Sequence, residues 1–157
     1  MSLAAAGCRS TGSDAGPGDG GVTGSEFDDG GMAGSDQAGQ RGRAIGLETV
    51  YFDYDSFQIR DDARPLLKGN AQTIQGKAQW PSIVVEGHCD ERGSDEYNLA
   101  LGERRAEQVK RYLVDLGVPA SRLETVSFGE ANAAVQGHDE AAWRYNRRSE
   151  FALSASR

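Results

Sequence analysis

Apolar residues are scarce in this chain: 38% of its 157 residues are hydrophobic and 8% aromatic, a low share for a fully folded protein. The deficit is concentrated in one place. Between Arg9 and Ala44 the sequence is mostly Gly, Ser, Asp, Ala and Gln, and its larger apolar residues are Val22, Phe27 and Met32. Such a segment buries too little surface to offset its ordering entropy. Residues 9–44 therefore read as a disordered tether and residues 45–157 as one domain, long enough for a single compact core. Cysteine is also short. Cys8 and Cys89 stand on either side of the tether and make no disulfide framework. Basic charge is lacking overall: a net charge of −7 excludes a general nucleic-acid binder, because phosphate contacts need a basic surface. No run approaches the roughly 20 apolar residues of a membrane-spanning helix.

What is present from residue 45 onward has the punctuation of an alternating fold. Leu47–Phe52 is β-branched and aromatic and predicts a strand, ended by the turn-prone Asp53-Tyr54-Asp55-Ser56. Asp61 and Asp62 offer helix caps and Pro65 suits a first turn. Leu67, Ala71, Ile74 and Ala78 then recur at helical spacing to about Gln79, where Trp80-Pro81 stops the helix. Ser82–Gly87 reads as a central strand, apolar on both faces. After a loop over 88–95, a second helix from near Glu96 carries Leu101, Val109, Tyr112, Leu113 and Leu116, and Gly117 ends it. Leu123–Phe128 and Arg148–Leu153 read as further strands, with a short helix over Asp139–Tyr145 between them. The order β-α-β-α-β-(α)-β predicts an α/β sandwich, one four-stranded mixed sheet with helices packed on a face.

The most informative stretch is Glu86–Leu113. It puts an acidic loop at a strand end and arginines near the start of the next helix. A carboxylate facing a guanidinium suits a ligand that carries both an ammonium and a carboxylate. On charge alone, the clusters Arg104, Arg105, Arg111 and Arg144, Arg147, Arg148 also fit solvated helix faces.

Four segments in order carry a resemblance. Val50-Tyr51-Phe52-Asp53-Tyr54-Asp55, the loop Glu86-Gly87-His88-Cys89-Asp90-Glu91-Arg92-Gly93, the helix pattern Asn98-x-x-Leu101-Gly102-x-x-Arg105-Ala106, and Gly137–Trp143 with Asn146-Arg147-Arg148 resemble OmpA-like peptidoglycan-binding domains. The loop and the closing segment are most similar to the peptidoglycan-associated lipoproteins among them. Gly102 stands where serine is common, and Cys89 where a small Ala or Thr is usual.

The resemblance implies non-catalytic binding of the meso-diaminopimelate stem of peptidoglycan, with no cofactor. Asp90 would take the ammonium of the ligand and Arg105 its carboxylate. Phe52, Asp53, His88 and Cys89 would lie at the same pocket, Leu101 would support its wall, and Arg148 would add positive charge. Phe52 also reads as core, His88 as satisfying a loop hydrogen bond, and Arg147 as a structural ion-pair partner.

The first residues bear on the same family. Leu3-Ala4-Ala5-Ala6-Gly7-Cys8 reads either as the cleavage end of a lipoprotein signal, residues 1–8, with Cys8 lipidated, or as a free thiol in a loose terminus. With lipid, the chain would be anchored in the outer membrane of a Gram-negative cell. Its domain would lie in the periplasm as part of a Tol-Pal system, with a TolB-like periplasmic β-propeller as partner. A tether of this length has an r.m.s. span of roughly 30–36 Å and a stretched limit of about 120 Å, enough to search for a wall from a membrane.

Three other readings compete with this one. A thiol enzyme using Cys89 with His88 or His138 suffers from side chains that alternate in direction along an extended strand. A metal group of His88, Cys89, Asp90 and His138 lacks paired ligand spacing. The wall-binding domain of a porin or flagellar stator would need a barrel or membrane helix upstream.

Overall fold

In the computed structural model, the described residues are 42–43 and 46–154. Cys8 and nearly all of the tether lie outside them. The elements run β1 (Gly42–Arg43), β2 (Val50–Tyr51), α1 (Ala63–Gly76), β3 (Ile83–His88), α2 (Asp95–Asp115), β4 (Leu123–Gly129), α3 (Glu140–Asn146) and β5 (Arg148–Leu153). The five strands fill four positions of a mixed sheet. β3 is central, parallel to β4 and antiparallel to β5. β1 and β2 share the outer edge of β5, end to end: β2 pairs with Arg148 and Ser149, β1 with Ala152 and Leu153. Gly42 and Arg43, which composition assigned to the tether, thus belong to the sheet.

The first strand is shorter than its β-branched run predicts. The Asn70 side chain accepts from the Glu48 N–H (2.8 Å) and donates to the Glu48 carbonyl (2.9 Å), so an amide on α1 takes the backbone groups a ladder would have used. α1 also stops early, at Gly76 rather than Gln79, and Ala78 is exposed outside it. Arg122 caps the end by donating to the carbonyls of Ile74 (2.9 Å) and Lys77 (2.8 Å). At the start of α1, Asp62 occupies the cap position but makes no side-chain cap bond; Arg60 holds its carboxylate instead.

α2 keeps its predicted end at Gly117 and starts at a cap that the sequence reading did not name. Ser94 accepts from the Tyr97 N–H, and Gly117 takes a positive φ of 93° just past the end. Its buried stripe is Asn98, Leu101, Gly102, Arg105, Ala106, Val109 and Leu113. With Phe52, Leu67, Ile74, Ile83, Val85 and Phe151, its Ala106, Val109 and Leu113 form the core under the helical face of the sheet.

Two glycines set how deeply α2 seats. A Cβ on Gly87 would come 1.9 Å from the Gly102 carbonyl oxygen, and one on Gly102 would meet Ser127 Oγ at 2.3 Å. The strand and helix backbones therefore touch. Ser127 occupies the space that a side chain at 102 would need, which accounts for glycine where serine is common. Gly87→Ala is expected to lower stability by about 3 kcal/mol or more, read as a drop in the thermal midpoint.

Candidate functional site

The loop between β3 and α2 and the turn after β2 face each other across a cavity of about 120 Å³. Its lining comes from Tyr54 and Asp55 on one side, Cys89, Asp90, Arg92 and Gly93 on the other, Tyr97, Asn98, Leu101 and Arg105 from α2, and Arg147 from the end of α3. Of the residues singled out in the sequence, Asp90, Cys89, Leu101 and Arg105 meet here.

Phe52, Asp53, His88 and Arg148 do not line it. Phe52 is a core residue, 1% exposed, beneath the Arg105 guanidinium (5.2 Å to the ring centre). The Asp53 side chain points outward to Arg60, and only its carbonyl serves the site, accepting from Arg105. His88 and Arg148 lie on the opposite face of the sheet, for a simple reason. Side chains alternate along a strand; Val85 and Gly87 face the helices, so Glu86 and His88 face away. His88 stacks on Phe128 at 5.3 Å, and Arg148 pairs with Glu150 at 2.9 Å.

Arg105 is 1% exposed. Its Nε donates to the Ser56 carbonyl (2.8 Å), Nη1 to the His88 carbonyl (2.8 Å) and to Cys89 Sγ (3.4 Å), and Nη2 to the Asp53 carbonyl (3.2 Å). Burial lowers its pKa from the usual arginine value. Among the described residues no ion pair joins it to Asp90.

Asp90 is instead gripped by two arginines that sequence reasoning left out of the site. Arg92 gives a forked pair, Nη2 to Oδ2 at 2.6 Å and Nε to Oδ1 at 3.2 Å, and its backbone N–H adds a third bond at 3.1 Å. Arg147 donates to Oδ2 at 3.3 Å. Burial pushes the Asp90 pKa up, but the Arg92 and Arg147 bonds outweigh it and hold the carboxyl below its ordinary value. The backbone bond was readable in principle: an Asp accepting from the N–H two residues on is an Asx-turn.

Arg92 also lies across the rings of Tyr54 (3.9 Å) and Trp143 (4.0 Å), and Glu91 accepts from the Trp143 indole at 2.9 Å. On the opposite rim Asp55, a non-glycine residue at φ 50°, accepts from the Tyr97 hydroxyl. The cavity thus presents carboxylates and guanidiniums within one small volume.

Catalysis through Cys89 finds no support in this geometry. The thiol is 3% exposed and donates to the Asn98 carbonyl at 3.2 Å. Burial pushes its pKa up to about 11, the reverse of what an attacking thiolate needs. His88 lies across the sheet from it. The metal group weighed from the sequence does not assemble either, since His138 pairs with Glu91 at 2.7 Å.

A model of the OmpA family matches residues 51–148, so the domain is of the OmpA class. A peptidoglycan-associated lipoprotein of Pseudomonas aeruginosa is 45% identical over 154 residues, covering 94% of this chain and 88% of that one. One from Haemophilus influenzae is 47% identical over 104 residues, covering 66% and 67%. The crystal structure of the peptidoglycan-associated lipoprotein from Burkholderia pseudomallei superposes with a TM-score of 0.64 at 44% identity, covering 68% of this chain and 89% of that one. The chain belongs to the peptidoglycan-associated lipoprotein family. The C-terminal domain of Helicobacter pylori MotB, at 24% identity and a TM-score of 0.65, covers 71% of this chain and 87% of its own and shares the fold.

His88 gives the pH prediction of this region. Burial and the Arg148 charge push its pKa down to about 4 from 6.5, so the folded protein refuses a proton that the unfolded chain accepts. Stability is therefore full above pH 6.5 and falls as pH drops toward 4. Between pH 7 and 5 the loss from this residue is about 2 kcal/mol. Urea denaturation in metal-free buffer is expected to show that loss in the parent chain and not in His88→Gln.

Proposed function

We propose that the cavity binds the meso-diaminopimelate unit of a peptidoglycan stem peptide without covalent chemistry. The observation that carries this reading is the convergence of Asp90 and Arg105 on one cavity, in a family whose relatives are named for association with peptidoglycan. The free end of diaminopimelate is a zwitterion. Its ammonium goes to the Asp90 carboxylate, displacing part of the Arg92 grip. Its carboxylate goes to the Arg105 edge, with loop N–H groups adding donors. Arg147, 6% exposed and bonded to Asp90, Glu140 and the Phe52 carbonyl, positions the acid.

Asp90→Asn keeps the shape of the acid and removes the charge. It is expected to cut retention on isolated diaminopimelate-type sacculi at least tenfold while leaving the circular dichroism spectrum unchanged. Arg105→Ala is expected to lose retention and stability together, because three backbone carbonyls lose a buried donor at about 1–3 kcal/mol each. Undiminished retention in a folded Asp90→Asn protein would refute the assignment.

On this reading the chain is an outer-membrane lipoprotein of the Tol-Pal system. Lipid on Cys8 holds the membrane, the tether spans the gap, and the domain holds the wall or a TolB-like β-propeller over an overlapping surface. In native envelopes the chain is expected in outer-membrane fractions with an acylated Cys8 by mass spectrometry and with a propeller partner co-purifying. An unmodified Cys8 removes the anchor, and absence of the propeller removes the partner.

A further inference from the structure

The face of the sheet turned away from the cavity carries a second cluster that the wall-binding reading does not use. Glu86 on β3 and Glu150 on β5 are direct cross-strand partners. Like charges in that position repel one another, and the Arg148 guanidinium beside Glu150 offsets part of that repulsion. Two residues along β3, on the same face, His88 is 2% exposed, and neither ring nitrogen has a hydrogen-bond partner. A buried imidazole with both nitrogens idle is costly in an ordinary core. A ligand atom from each of the three residues lies within 4.8 Å of the others.

The backbone contributes to this placement. The β3–β4 register slips between Gly87 and His88, so that His88 pairs with Gly129 and Phe128 is the extra residue. Bulges re-aim side chains, and here Phe128 lies flat against the imidazole, with 12° between the ring planes. Arg148 Nε donates to Glu150 Oε1 at 2.9 Å. A partner of that kind fixes the orientation of a carboxylate that coordinates through its other oxygen.

We propose that Glu86, His88 and Glu150 form a binding site for a divalent transition-metal ion such as Zn²⁺. Imidazole nitrogen with two carboxylates is a borderline donor set suited to such ions, and three protein ligands leave a position for water. Bond lengths of about 2.0–2.2 Å place tetrahedral ligand atoms about 3.4 Å apart. The three therefore close by little more than about 1 Å, a change that side-chain rotation of the two glutamates supplies. Both glutamates are half-buried and give the ion a path from solvent to the imidazole beneath. The site is independent of the cavity around Asp90, which lies across the sheet.

The test uses the full chain, purified without a metal-affinity tag and stripped with chelator, titrated with ZnCl₂ by calorimetry and with Co²⁺ by visible absorption. The expected result is uptake of one ion that weakens at least tenfold in Glu86→Gln, in Glu150→Gln and in His88→Gln. The two glutamate variants change solvent-touching side chains, so they read the site even where the buried His88→Gln fails to fold. Thiol or imidazole binding at Cys8 or His138 is common to all the proteins and cancels in the comparison. No uptake by the parent chain, or uptake of equal strength in both glutamate variants, overturns the proposal.

Discussion

One buried guanidinium holds this domain's working end together. Arg105 on α2 reaches across the core edge and donates to carbonyls of the turn after β2 and of the end of β3. Those carbonyls belong to segments far apart in the chain, and each would otherwise be a desolvated acceptor with no donor. The bonds therefore fix the two loops that form the opposite walls of the cavity. A lysine could not replace this fan of donors, because a compact ammonium lacks the planar fork.

That reach depends on how closely α2 lies on the sheet. Backbone contact between Gly87 and Gly102, with Ser127 filling the adjoining space, lets the helix sit low enough for Arg105 to pass beneath the loops. Core packing and site geometry are thus one constraint. Once the loops are fixed, Asp90 becomes the meeting point of Arg92 and Arg147. Arg92 in turn is held between Tyr54, Trp143 and Glu140. The acid is prepared as a charged group, since these donors overcome the burial that would neutralise it.

The fold was largely legible from hydrophobic period and punctuation. Helix α2 could be read from its apolar stripe and Gly117, and the central strand from Ile83-Val84-Val85. What failed had tertiary causes. The first strand lost its ladder bonds to Asn70, and α1 ended early where Arg122 caps it; both partners come from distant sequence. At the site, loop and helix motifs brought Asp90, Cys89, Leu101 and Arg105 to one cavity. Strand alternation alone argues against His88 there, because Val85 and Gly87 face the helices. Arg147 was legible as a structural ion-pair partner, but that it and Arg92 both grip Asp90 was not, because a charged residue shows its partner only after the loops close.

The sequence by itself determined the order of strands and helices and the family, because these rest on local pattern and ordered motifs. Only the tertiary structure decided which charges meet. It turned Asp90 toward Arg92 and Arg147 and buried Arg105 among carbonyls. It also gathered Glu86, His88 and Glu150 on the far face. The physical reason is that burial and pairing are properties of surfaces in contact, and residues distant along the chain create those surfaces only when it folds.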